Sequence, residues 1–140
     1  MIGGGYIGCE LGQAFRRLGA EVSVVQRAPR LLPGEEPDAS TVIDRAFRDE
    51  GIDVLAAHEL RSVRWTDGQP TVEMDGPDGT SRSIGGTHLL LAAGRTPNTD
   101  TLAVERAGVD LDQRGFVRVD DELRTTAEGI WAIGDVNGAQ

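Results

Sequence analysis

Between Tyr6 and Leu18 the apolar residues Ile7, Leu11, Phe15 and Leu18 recur at steps of three and four, which marks one face of a helix. Gly19 is its natural stop. Glu21 to Gln26 carries Val22, Val24 and Val25 in a β-rich run and reads as a strand. Pro29 and Pro33-Gly34 break the chain into a loop, and Pro37 with Asp38 starts a second helix through Val42, Ile43, Ala46 and Phe47, closed by Gly51. Ile52 to Leu55 is a third short apolar run. Strand and helix alternate, as in a parallel α/β sheet.

After His58 the pattern changes. Val63 and Trp65, Val72 and Met74, and Ser81 to Ile84 form short segments separated by Asp67-Gly68 and by Asp75 to Gly79, which suits a small antiparallel meander. Leu89 to Ala93 is a continuous apolar run, the pattern of a strand buried on both faces. Thr101 to Ala107 reads as a short helix, and Phe116 to Val119 and Ile130 to Ile133 as strands. The fold class expected is α/β, a Rossmann-like parallel sheet with flanking helices and an antiparallel β-meander.

The first helix is preceded by Gly3-Gly4-Gly5-Tyr6-Ile7-Gly8, which has the G-x-G-x-x-G spacing of a dinucleotide-binding turn. Glycines there allow a tight turn, a close approach of backbone to a pyrophosphate, and close packing of helix on strand. Met1 and Ile2 alone precede the turn, where a strand of five or six residues is expected. The first strand therefore reads as truncated, and the chain as a piece of a longer protein, marginally stable alone.

The length of 140 residues allows one ordinary domain and its core. A net charge of -9 argues against nucleic acid, which is bound by clustered cations. No apolar run reaches membrane-span length and no signal peptide opens the chain, which favours a cytoplasmic protein. The single cysteine, Cys9, excludes an internal disulfide or a dithiol redox pair within these residues. At the start of a helix the dipole would lower its pKa, but the position equally suits a small buried residue, and packing is the favoured reading. His58 and His88 belong to no metal-like cluster, so no metal is assigned and surface or strand-edge positions are expected.

A lone glycine turn is a weak signal, but three signals occur in order: GGGYIGCELG at 3 to 12, AAGRTPNT at 92 to 99 and TTAEGIWAIGD at 125 to 135. Together they resemble the pyridine nucleotide-disulfide oxidoreductases, the flavoenzyme family of glutathione reductase, dihydrolipoyl dehydrogenase and mercuric reductase. The resemblance implies an NAD(P)H-binding domain over residues 1 to 99 and a return segment of the FAD-binding domain over 100 to 140. It implies that Gly3, Gly5 and Gly8 hold the pyrophosphate at the helix N-terminus, with Gly4 and Ile7 also among the cofactor-binding residues. By the same resemblance Tyr6 covers the flavin, Glu10 accepts a hydrogen bond from the nicotinamide carboxamide, Gly94 approaches the nicotinamide half, and Asp135 bonds the ribityl chain of FAD. The family's redox-active cysteines and its dimerisation domain lie outside these residues, and the intact enzyme is expected to be a homodimer.

An NAD-preferring turn places an acid at the end of the second strand, about twenty residues after the glycines. Here Gln26 stands in that place, followed by Arg27 and, three further on, Arg30, an edge that suits a 2'-phosphate. NADPH is the expected coenzyme, with NADH second, and the expected function is an oxidoreductase passing hydride from NADPH to FAD. An NADH:ferredoxin or rubredoxin type reductase and a non-catalytic nucleotide-binding module remain as alternatives.

Overall fold

The computed structural model describes residues 1–138 and divides the chain into two compact units, Met1–Gly94 and Arg95–Gln140. The first contains α1 (Tyr6–Arg17), β1 (Ser23–Val25), α2 (Pro37–Asp49), β2 (Asp53–Leu55), β3 (Glu59–Thr66), β4 (Gln69–Asp75) and β5 (Ser81–Gly85). Among the described residues no helix is long and apolar enough to cross a membrane.

Both helices stop on a glycine in the left-handed region. Gly19 has φ 101° and Gly51 φ 76°, conformations that carry no Cβ penalty in glycine. At each stop two amides fold back: Ala20 to the Phe15 carbonyl and Gly19 to that of Arg16 in α1, Ile52 to Phe47 and Gly51 to Arg48 in α2. This is the Schellman arrangement, and at α2 its hydrophobic contact is made by Ile52 and Phe47, both core residues. The two helix ends are joined through Glu50, whose side chain accepts from Arg17 at 2.6 Å and Gln13 at 2.8 Å while its carbonyl accepts from Arg16.

β1 and β2 pair in parallel with Val24 opposite Val54 and Val25 opposite Leu55. Ile2 extends this sheet by bridging Val25 on one side and Leu91 on the other, both in parallel. The lanes therefore run β2, β1, Ile2, Leu91, the third-second-first-fourth order of a dinucleotide-binding half-domain. Alternation of side chains sends Val24 and Val54 to one face, where they pack with Cys9, Leu31 and Phe47. Ile2, Val25 and Leu55 go to the other face and meet Val72 and Met74 of the meander. Helices cover one side of the parallel sheet and the meander β3-β4-β5 covers the other.

The meander turns where expected. Asp67 and Gly68 join β3 to β4 with φ 52° and 77°, both positive as a two-residue primed turn requires. The Asp78 carboxylate accepts from the backbone and hydroxyl of Thr80 to close the β4–β5 connection.

Four expectations are corrected. The apolar stripe of α1 is not its buried face: Leu11 and Phe15 are half-exposed and Leu18 is 83% exposed, while Gly8, Cys9 and Gly12 are buried. Small residues let the helix axis come close to the sheet, and that face lies roughly a third of a turn round from the stripe. Leu89 to Ala93 does not form a strand buried on both faces. Only Leu91 pairs, with the single residue Ile2, and it is 66% exposed because one bridging residue cannot cover a five-residue run. β1 is shorter than the run from Glu21 to Gln26, since its register with β2 spans only Ser23 to Val25.

The fourth correction concerns the second unit. Its helix is a 3-10 turn over Val104–Ala107, and Phe116 to Val119 and Ile130 to Ile133 make isolated bridges, Leu111 to Val117, Val119 to Thr125 and Arg124 to Trp131. Its core is small: Val109, Val117 and Ala132, with Val104, Val119, Ala127 and Val136 against them. Side chains supply what ladders do not. The Thr126 hydroxyl donates to the Gly108 carbonyl and accepts from the Asp110 amide, and Thr99 donates to the Gly115 carbonyl at 2.7 Å.

Candidate functional site

The three spaced glycines of the opening turn meet three different surroundings. Gly3 has φ 103°, and a Cβ there would overlap the Ala92 carbonyl oxygen. Gly8 sits against the carbonyl of Gly3 so closely that a methyl would overlap that oxygen. A Cβ on Gly5, by contrast, would meet nothing within 4 Å. Gly3 makes the turn, Gly8 lets helix and turn close together, and Gly5 leaves open backbone at the N-cap of α1.

The first four-residue hydrogen bond of α1 runs from the Cys9 amide to the Gly5 carbonyl at 2.9 Å. The amides of Ile7 and Gly8 precede it and have no acceptor within the helix. No acidic residue stands in the first turn, and Arg16 and Arg17 occupy the last. The positive end of the helix dipole is thus uncompensated by its own side chains, a setting that favours an anion.

Gln26 lies beside this turn at the end of β1. Its Oε1 accepts from the Gly4 amide at 3.3 Å, so the side chain props the turn as well as forming the strand's edge. Arg27 follows and is exposed; among the described residues its guanidinium makes no hydrogen bond or ion pair. Arg30 is held differently. Its guanidinium donates to the Pro33 carbonyl at 3.0 Å and to Ser40 Oγ at 3.3 Å. Of the two arginines, Arg27 alone is exposed and unengaged at this edge.

The loop between Arg30 and Pro33 contributes what the glycine spacing does not reveal. Leu31 is buried against Gly4, where a methyl would meet its Cδ2 at 2.6 Å, and the Leu32 amide donates to the Gly4 carbonyl at 2.7 Å. Buried Ser40 on α2 holds that loop by donating to the Leu31 carbonyl at 2.6 Å. Leu32 accepts a positive φ of 48° in the process. Nothing in the sequence marks Leu31, Leu32 and Ser40 as supports of the turn, because the link is through backbone groups.

Tyr6 is 39% exposed at the first position of α1, Ile7 is half-buried, and Glu10 is exposed one turn further on. Cys9, between them, is buried with its sulfur 3.6 Å from the Gly4 carbonyl oxygen. Burial, with a smaller contribution from the charge of Glu10, pushes its thiol up to about 11. The helix dipole does not make it a reactive thiolate; desolvation wins, and the packing reading of Cys9 stands. Gly94 follows Ala92 and Ala93, whose backbone abuts Gly3, and has φ 146° with open space around its α-carbon.

Asp135 belongs to the second unit, where it opens a 3-10 turn over Asp135–Asn137. The Arg95 guanidinium donates to its carboxylate at 3.3 Å, and Asp135 is otherwise largely exposed. Nearby, the Asn137 side chain donates to the Ala132 carbonyl at 2.8 Å. His88 is exposed, as expected, whereas His58 corrects the expected surface position: it is buried at the junction of β2 and β3, its Nδ1 2.8 Å from the Ala56 carbonyl. Among the described residues no three His, Cys, Asp or Glu side chains gather as metal ligands.

The arrangement of an open glycine turn at a helix start, at the end of a parallel sheet with Rossmann order, agrees with three independent comparisons. The family model for pyridine nucleotide-disulphide oxidoreductases matches residues 1–140. A mercuric reductase of Streptomyces lividans is 45% identical over 137 residues, covering 97% of this chain and 28% of the relative. A dihydrolipoyl dehydrogenase of Haloferax volcanii is 40% identical over 136 residues, covering 97% of this chain and 29% of the relative.

Among solved structures, the HOCl-induced flavoprotein disulfide reductase RclA from Escherichia coli superposes with a TM-score of 0.81 at 34% identity, over 99% of this chain and 31% of that one. An engineered water-forming NADPH oxidase bound to NADPH superposes with a TM-score of 0.77 at 28% identity, over 96% of this chain and 28% of that one. The chain spans less than a third of the length of these relatives. It belongs to the pyridine nucleotide-disulphide oxidoreductase family.

Proposed function

We propose that residues 1 to 99 bind NADPH, with NADH as the weaker coenzyme, and that residues 100 to 140 contribute to FAD binding in an intact flavin-dependent oxidoreductase. The observation that carries this reading is the open backbone at Gly5, between two glycines that admit no side chain. Through that opening the amides at the start of α1 take the pyrophosphate. The residues present fit the group: a Cβ at Gly5 would meet nothing within 4 Å, no carboxylate stands in the first turn, and the helix end is positive.

When bound, the coenzyme supplies the hydride that the flavin accepts. The protein's own residues bind and orient. Arg27 meets the 2'-phosphate, adding charge-assisted hydrogen bonds worth roughly 1.5–3 kcal/mol each over a ribose hydroxyl. Arg30 holds the 30–33 loop against α2 rather than meeting the phosphate itself, in keeping with its bonds to Pro33 and Ser40. Glu10 orients the nicotinamide by accepting from its carboxamide, Tyr6 shields the site until the coenzyme arrives, and Gly94 lets the nicotinamide half approach. Asp135, held by Arg95, accepts a hydrogen bond from the ribityl chain of FAD. The intact enzyme is proposed to be a cytoplasmic homodimer.

Equilibrium titration of the folded chain with NADPH and NADH tests the reading. NADPH binding at least tenfold tighter, with the advantage lost in Arg27→Ala, is the expected result. Equal affinities, or no effect of the substitution, would overturn the coenzyme preference.

A further inference from the structure

The peptide between Gly4 and Gly5 is flanked by two glycines, so no Cβ on either residue opposes a flip that turns it over. A trans peptide carries its N–H and C=O on opposite sides, and the direction of the Gly4 carbonyl therefore fixes that of the Gly5 amide. In this structure the carbonyl faces inward. Its oxygen accepts from the Leu32 amide at 2.7 Å and stands 3.6 Å from the Cys9 sulfur. The Gly5 amide is thereby turned the other way, and among the described residues it has no acceptor. A flip would exchange the two groups and set a carbonyl oxygen where an anion needs a donor.

The donor that holds this carbonyl is itself held against strain. Leu32 has φ 48°, a left-handed conformation that a residue with a large side chain rarely adopts. Two buried side chains keep it there. Leu31 is 1% exposed and lies against Gly4, and Ser40 of α2, 3% exposed, donates to the Leu31 carbonyl at 2.6 Å and to that of Leu32 at 3.3 Å. Arg30 donates to the same hydroxyl at 3.3 Å, which leaves the Ser40 proton free to go to the loop. The helix itself does not need this hydroxyl; the strained loop does.

We propose that Ser40 is a positioning residue for the coenzyme: it anchors Leu32 so that the Leu32 amide holds the Gly4 carbonyl inward and keeps the Gly5 N–H aimed outward at the pyrophosphate. The assignment rests on the coenzyme reading above and adds to it a residue of α2, outside the glycine turn. Cys9 supplies a second, weaker donor to the same carbonyl. Burial keeps its thiol protonated, and a protonated thiol donates where a thiolate would repel the oxygen.

The test compares NADPH with adenosine 2'-monophosphate, which carries the 2'-phosphate but no pyrophosphate. In Ser40→Ala, NADPH is expected to bind about tenfold more weakly, the equivalent of one hydrogen bond, while adenosine 2'-monophosphate changes by less than about twofold. Thr41→Ala, which removes a hydroxyl bonded within α2, should alter neither affinity. Binding and clamping are reciprocal. Hydrogen exchange at the Leu32 amide of the parent should therefore slow about tenfold with NADPH at ten times its dissociation constant. This last measurement needs no variant, so it decides the matter even where Ser40→Ala does not fold.

Unchanged NADPH affinity in Ser40→Ala, equal weakening of both ligands, an equal loss in Thr41→Ala, or a Leu32 amide indifferent to NADPH would each overturn the role of Ser40 while the parent still binds its coenzyme. A folded parent that binds neither NADPH nor NADH would overturn the coenzyme reading, and the role of Ser40 with it.

Discussion

Gly8 lies directly on the carbonyl oxygen of Gly3, with no room between them for a methyl group. This contact ties the first turn of α1 to the residue that leaves the parallel sheet, and everything proposed about the coenzyme depends on that closeness. Gly8→Ala must separate helix from turn, and overpacking of this kind costs roughly 1–3 kcal/mol. Urea unfolding should show a lowered midpoint for Gly8→Ala. Gly5→Ala should change stability by less than about 0.5 kcal/mol, because Gly5 has an ordinary φ of -75° and open space around it. Equal destabilisation by both would contradict the division of roles.

Phe47 is 1% exposed and joins α2 to the helix-side core with Val24, Leu31 and Ile52. Phe47→Ala is expected to cost about 3–5 kcal/mol, a large share of a domain's total of about 5–15 kcal/mol. Calorimetry or denaturant titration will read the loss. Leu18→Lys, at the exposed end of α1, should leave the midpoint within about 0.5 kcal/mol of the parent.

Much of this architecture is legible from residue order, and the exceptions have physical causes. The stops at Gly19 and Gly51 and the turn at Asp67-Gly68 are readable because each demands a backbone conformation that few residues adopt. The buried face of α1 is not readable from apolar spacing, since a hydrophobic pattern gives no weight to Gly8 and Gly12, whose smallness is what brings the helix onto the sheet. Leu89 to Ala93 looks like a core strand by composition, yet a strand is defined by its neighbours, and among the described residues Leu91 pairs with Ile2 alone. The glycine turn itself is legible, but its props are not: Leu32, Ser40 and the Gln26 amide act on backbone groups that no motif records.

Cys9 offers a check by pH. Its folded thiol is raised to about 11, so the native state disfavours the thiolate relative to the unfolded chain. This contribution to stability is fully present below the ordinary thiol range and is lost as pH climbs through it toward about 11. Alkylation by iodoacetamide at neutral pH should be far slower in the folded protein than in urea, and stability should fall with rising alkaline pH less in Cys9→Ala than in the parent. Rapid labelling of the native protein at neutral pH would contradict the buried, protonated thiol.

The most direct test of the central claim is a titration of the folded chain and of Gly5→Val with NADPH, followed by coenzyme fluorescence, with circular dichroism confirming that both are folded. Saturable binding by the parent is expected, and its loss in Gly5→Val, where a branched side chain occupies the open space at the glycine turn. A folded parent that binds neither NADPH nor NADH, or a Gly5→Val protein that binds as tightly as the parent, would contradict the claim.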